Sequence, residues 1–152
     1  MYSTNHSEPH RRTNHHPNAK STVGWNSRIL LAEDNDEMRS MLASILRRDG
    51  YVVIEARDGR ELVKQLSEHG TGEGSDIDLV ISDIRMPGAS GRDVLAGLRE
   101  VDWSMPVILI TAFGSADTKS RAGVLGAAIL LDKPFELEDL RHAVRSVVPP
   151  RV

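Results

Sequence analysis

Apolar residues gather in five short, unbroken blocks: Ile29-Leu30-Leu31-Ala32, Tyr51-Val52-Val53-Ile54, Leu79-Val80-Ile81, Val107-Ile108-Leu109-Ile110 behind Pro106, and a last block from Ala127 to Leu131. Apolar positions that do not alternate with polar ones predict strands buried on both faces. Between the blocks the spacing becomes helical. Met38, Met41, Leu42, Ile45 and Leu46 make one stripe, which Asn35 or Asp36 can cap and Gly50 stops. Leu62, Val63 and Leu66 mark a second helix between Asp58-Gly59 and Gly70, followed by the connector GTGEGS at 70–75. Gly91 and Asp93 open a third, with Val94, Leu95, Leu98 and Val101 on one face. Ala116, Ala122 and Leu125 give a weak stripe to a fourth, over Ser115 to Leu125. A closing helix from Glu136 to Val148 turns Leu137, Leu140, Ala143, Val144 and Val147 inward and stops at Pro149-Pro150. Strand then helix, repeated along the chain, predicts an α/β fold with a parallel sheet covered on both faces and right-handed crossovers.

Residues 1–27 break the pattern. They are polar, rich in Asn, Ser, Thr and His, and nearly free of aliphatic side chains, so they are expected to be a disordered tail before a domain at 28–150. Four tail histidines, His6, His10, His15 and His16, have no cysteines beside them and read as solvated rather than metal-binding. Arg11, Arg12, Lys20 and Arg28 against Glu8 make this end mildly basic. The whole chain has a formal net charge of -3, which argues against a protein built to coat nucleic acid. With no cysteine there is no disulfide framework, thiolate zinc site or cysteine nucleophile. Nothing in the sequence is long and apolar enough to span a bilayer or to act as a secretion signal, so a cytoplasmic location is expected.

The chemistry lies at the carboxyl ends of the predicted strands. Glu33 and Asp34 follow the first, Asp83 the third (just before a Met86-Pro87-Gly88 turn signal), Thr111 the fourth and Lys133 the fifth. In a doubly wound sheet of order 2-1-3-4-5 the first and third strands are central neighbours, and the topological switch between them makes a crevice. Glu33, Asp34 and Asp83 would meet there. At ~4 Å and an effective dielectric of ~20, each carboxylate pair repels by about 4 kcal/mol, which a proton or a divalent cation relieves. Oxygen-only ligands select a hard ion, and few protein ligands leave room for water and phosphate, as magnesium requires. Magnesium beside a nucleophilic carboxylate and an ammonium group suits phosphoryl transfer.

These residues, in this order and spacing, resemble the response-regulator receiver domain of bacterial two-component signalling. The matching residues are Glu33-Asp34, the DIRMPG block from Asp83, Thr111-Ala112 and Lys133-Pro134-Phe135, within a resemblance running from about Arg28 to Val148. The resemblance implies a flavodoxin-like (CheY-like) three-layer sandwich. It implies that Asp83 is the phosphoacceptor, that Asp34, Asp83 and the backbone carbonyl of Arg85 bind Mg2+, and that Glu33 acts through bound water. Thr111 would be the switch hydroxyl, and Lys133, before a cis-proline bond, would pair with the phosphoryl group. Where many relatives carry Tyr or Phe this chain has Leu130, which is expected to weaken coupling from Thr111 to the outer face. Bulky Arg85 and Phe113 flank the site and are expected to restrict water and slow hydrolysis.

The implied function is a switch, not an enzyme. It would take a phosphoryl group from a sensor histidine kinase or histidine phosphotransfer protein. It would then recruit a downstream protein through the face made by the fourth helix, fifth strand and closing helix, with a phosphorylation-dependent dimer as a further possibility. A magnesium-dependent aspartyl phosphatase would carry a second Asp two residues after the nucleophile, where this chain has Arg85. A receiver-like scaffold that is never phosphorylated is the other alternative. No helix-turn-helix or basic recognition helix is visible, so a stand-alone regulator or relay intermediate is expected, with a receiver excised from a larger DNA-binding regulator or hybrid kinase as the alternative.

Overall fold

The computed structural model describes residues 27–70, 76–86, 105–111 and 129–149, together with Asp93, Ala96, Gly97 and Arg99. Five strands, β1 (Arg28–Ala32), β2 (Val52–Ala56), β3 (Leu79–Asp83), β4 (Val107–Thr111) and β5 (Ile129–Asp132), form one parallel sheet of order β2-β1-β3-β4-β5. Three helices have described bounds: α1 (Asp36–Arg48), α2 (Gly59–His69) and α3 (Leu137–Val147). Asp93, Ala96, Gly97 and Arg99 are helical and fall on the predicted third helix; the rest of that helix, the predicted fourth helix, Pro87-Gly88, Phe113 and residues 1–26 lie outside the described residues.

The unbroken apolar blocks are explained by two cores. Leu30, Ala32, Val80, Val107 and Leu109 point to the side of Leu62 and Leu66 on α2. Ile29, Leu31, Leu79, Ile81, Ile108 and Ile110 point to the other side, against Leu42, Ala43 and Leu46 of α1 and Leu140, Ala143 and Val144 of α3. Successive strand residues face opposite layers, so burial of both faces requires apolar residues at both parities.

Asn35 caps α1, its side-chain oxygen accepting from the Met38 N–H at 2.8 Å, and Asp58 caps α2 through the Glu61 N–H at 2.8 Å. After α1 the backbone turns at Gly50 with φ +97°, a conformation that disfavours any side chain even though there is open space around its Cα. Two apolar residues of the predicted helices stay outside the core: Met41 and Val63 are 43% and 48% exposed. Each lies beside the line of residues that touches the sheet, and a helix on a flat sheet buries only that line. Ser27, read with the tail, is buried, and its carbonyl accepts from the Val52 N–H at 3.0 Å.

Candidate functional site

Parallel register brings the acidic residues together. Ala32 pairs with Ser82 across β1 and β3, so the next residues, Glu33 and Asp83, stand side by side at the order reversal. Asp83 lies level with Ile110 of β4, one residue before Thr111, and Thr111 is paired with Asp132, one residue before Lys133. The Lys133 N–H donates to the Thr111 carbonyl at 2.6 Å, and the Lys133-Pro134 bond is cis, as the resemblance implied.

Glu33, Asp34 and Asp83 each offer a carboxylate oxygen, all within 4.8 Å of one another. Glu33 is only 1% exposed and Asp83 6%, whereas Asp34 is exposed. Lys133 reaches in from β5, its Nζ 2.7 Å from Asp83 Oδ2 and 3.6 Å from Glu33 Oε2. The Arg85 N–H donates to Asp83 Oδ1 at 3.0 Å, so both oxygens of the predicted acceptor are held. Arg85 itself is exposed, and Thr111 is buried at the end of β4.

One ammonium does not balance the carboxylates. Burial, then the hydrogen bond and charge of Asp83, push the Glu33 carboxyl up to about 7, against the pull of Lys133 and of the Asn35 N–H. Glu33 Oε2 is buried with no hydrogen-bond partner among the described residues. For Lys133, burial alone would lower the pKa, but Asp83 and then Glu33 outweigh it and raise it. A buried acceptor without a donor, in an all-oxygen set with one exposed member, is the arrangement a hard divalent cation completes. The residues fit magnesium.

Residues not singled out from the sequence also build the site. The Glu33 N–H donates to the Ala56 carbonyl of β2 at 3.1 Å, so the end of β2 holds the acidic loop. Arg39 on α1 donates to the Glu33 carbonyl at 2.9 Å and pairs with Asp36 and with Glu55 of β2. Nothing in the sequence separates Arg39 from an ordinary helix-surface arginine. Leu130 packs half-buried against the core on the α2 side.

The family model described as "Response regulator receiver domain" matches residues 29–145. The chain belongs to the response regulator receiver domain family. Among curated proteins, this receiver domain is 28% identical over 124 residues to Sporulation initiation phosphotransferase F of Bacillus subtilis, covering 82% of this chain and 95% of that one. It is 37% identical over 122 residues to Transcriptional regulatory protein PdtaR of Mycobacterium tuberculosis, covering 80% of this chain and 56% of that one. The chain thus spans little more than half of PdtaR, and 49% of Transcriptional regulatory protein CpxR of Escherichia coli. A solved receiver domain from Clostridium thermocellum superposes with TM-score 0.72 at 30% identity, over 80% of this chain and 93% of that one. Response regulator TrrA from Thermotoga maritima, solved in complex with Mg(2+)-BeF, does so with TM-score 0.68 at 30% identity, over 80% and 99%. Receiver domains are phosphoacceptor switches of two-component systems rather than enzymes in the usual sense. No described helix is long and apolar enough to cross a membrane.

Proposed function

We propose that this receiver domain accepts a phosphoryl group on Asp83 from a phosphohistidine of a sensor kinase or phosphotransfer protein in the cytoplasm, and that the modified domain presents an altered face to a partner protein. The observation that carries the reading is the convergence of Glu33, Asp34 and Asp83 within 4.8 Å with the Lys133 ammonium at 2.7 Å. Asp34, Asp83 and the Arg85 carbonyl would hold magnesium directly, and Glu33 through water. When bound, magnesium supplies positive charge to the phosphoryl oxygens.

An Asp83 carboxylate oxygen forms the new bond to phosphorus as the bond from phosphorus to the donor nitrogen breaks, and the donor imidazole leaves. Lys133 exchanges its contact with Asp83 for one with a phosphoryl oxygen, so its charge is not stranded. The Thr111 hydroxyl donates to another phosphoryl oxygen and so links the modification to the end of β4. β5 and α3 belong to the face that responds, and Leu130 on β5 lacks the lever that a larger ring would provide there.

Similarity along nearly the whole of a protein named a phosphotransferase supports a stand-alone or relay role. The regulators PdtaR and CpxR, about twice as long as the matched part, support a second reading as the receiver of a larger transcriptional regulator. Intact-mass measurement after incubation with acetyl phosphate and magnesium tests the acceptor. The protein should gain one phosphoryl mass, and Asp83→Asn should gain none. A protein that stays unmodified, or an Asp83→Asn variant modified to the same extent, rejects the assignment.

A further inference from the structure

The acidic loop Glu33-Asp34-Asn35 must present an exposed carboxylate, Asp34, between two residues that are held. Besides the bond from the Glu33 N–H to the Ala56 carbonyl, two holds come from one residue. The Arg39 guanidinium, its side chain only 11% exposed, donates to the Glu33 carbonyl at 2.9 Å, and the Arg39 backbone N–H donates to the Asn35 carbonyl at 2.9 Å. The Glu33 carbonyl belongs to the peptide unit whose other end is Asp34, so gripping it sets the plane from which the Asp34 side chain leaves. The guanidinium is fixed in turn, by Asp36 Oδ1 at 2.7 Å and by Glu55 Oε1 at 3.4 Å. Glu55 is shared with Arg47, 3.2 Å away, which also donates to the Val53 carbonyl at 2.9 Å. The loop is thereby tied to β2 through a hydrogen bond and an ion pair of Arg39.

The geometry points to Arg39 as a positioning residue for the divalent cation, one that preorganises Asp34 and Glu33 and touches neither metal nor phosphoryl group. This inference rests on the magnesium reading of the acidic cluster. A simple charge effect has the opposite sign. Arg39 places a positive charge next to carboxylates, so its removal would on Coulombic grounds alone tighten binding of a divalent cation. Asp36 and Glu55 already compensate that charge, and what removal takes away is the fork that holds the peptide unit. Lysine keeps the charge and cannot reproduce a planar fork reaching three oxygens.

Magnesium titration by isothermal calorimetry of the wild type, Arg39→Ala and Arg39→Lys decides between the two. Affinity should fall about tenfold in Arg39→Ala, the scale of lost support around metal ligands, with partial recovery in Arg39→Lys. Amide exchange at Asp34 and Asn35 in the metal-free proteins should accelerate in both variants, and fastest in Arg39→Ala. Tighter magnesium binding by Arg39→Ala, or wild-type affinity and wild-type exchange in Arg39→Lys, overturns the inference. A wild type that binds no magnesium overturns the metal reading instead, and the exchange experiment still decides whether Arg39 holds the loop. If Arg39→Ala does not fold, Arg39→Lys carries both readouts.

Discussion

Lys133→Met keeps the length of the side chain and removes a charge that faces both buried carboxylates. At an effective dielectric of ~20, the 2.7 Å contact with Asp83 is worth ~6 kcal/mol and the 3.6 Å contact with Glu33 ~5 kcal/mol before any solvation is counted. Withdrawing the ammonium from water offsets much of that, and deleting one partner of a buried pair costs about 3–5 kcal/mol in practice. Because the Lys133 side chain is 25% exposed, water screens it and the lower end applies, about 3 kcal/mol. For a chain of this length that is a fall in Tm of about 6–12 °C. The measurement belongs well above the value of about 7 to which burial lifts the Glu33 carboxyl with Lys133 in place, since losing Lys133 raises it further and protonation of Glu33 would relieve the repulsion.

Magnesium supplies the second half of the test. The ammonium and the cation are drawn to the same carboxylates and repel each other, so Lys133→Met should bind magnesium more tightly than the wild type. Ligand at ~100 times its Kd adds about 2.7 kcal/mol to the folded state, and the variant gains more than the wild type at any fixed concentration. The gap in Tm, wide in EDTA, should therefore narrow in excess magnesium. Calorimetric or circular-dichroism melts in the two buffers read it directly. Equal melting points in EDTA, or a gap that holds or widens with magnesium, would refute the reasoning.

Away from the site, Asp49 takes two hydrogen bonds from Arg141, at 2.8 and 2.7 Å, which with the nearby Arg145 hold its carboxyl below the usual 3.8. A depressed folded-state pKa means stability that is complete above the unfolded value and lost as pH falls through the folded one. Asp49→Asn should therefore lower the urea midpoint at neutral pH, with the gap to wild type closing only as pH drops below 3.8; a gap constant through that range would contradict it. Asp58→Ala removes the cap of α2 and should cost about 1 kcal/mol while leaving phosphoryl uptake unchanged, as equilibrium unfolding and the intact-mass assay would show.

Much of this protein is readable from its own string of residues. Apolar runs without alternation identify strands buried on both faces, since a parallel sheet under two helical layers leaves no parity for polar side chains. The acidic pair, Asp83, Thr111 and Lys133 stand out because each closes such a run, where this class of sheet keeps its crevice. Other features were decided only by packing. Met41 and Val63 fit their helical stripes by spacing, yet stay exposed because contact with a sheet buries a narrower line than periodicity suggests. Asn35 rather than Asp36 caps α1, a choice that depends on backbone angles at the loop. Arg39 and Glu55 resemble any pair of surface charges until β2 is laid beside β1 and the Glu33 carbonyl turns towards α1. A strand-end residue announces its position through its neighbours in the chain, whereas a residue that acts by gripping another segment's backbone has no local signature, because its partner is set only when the strands pair.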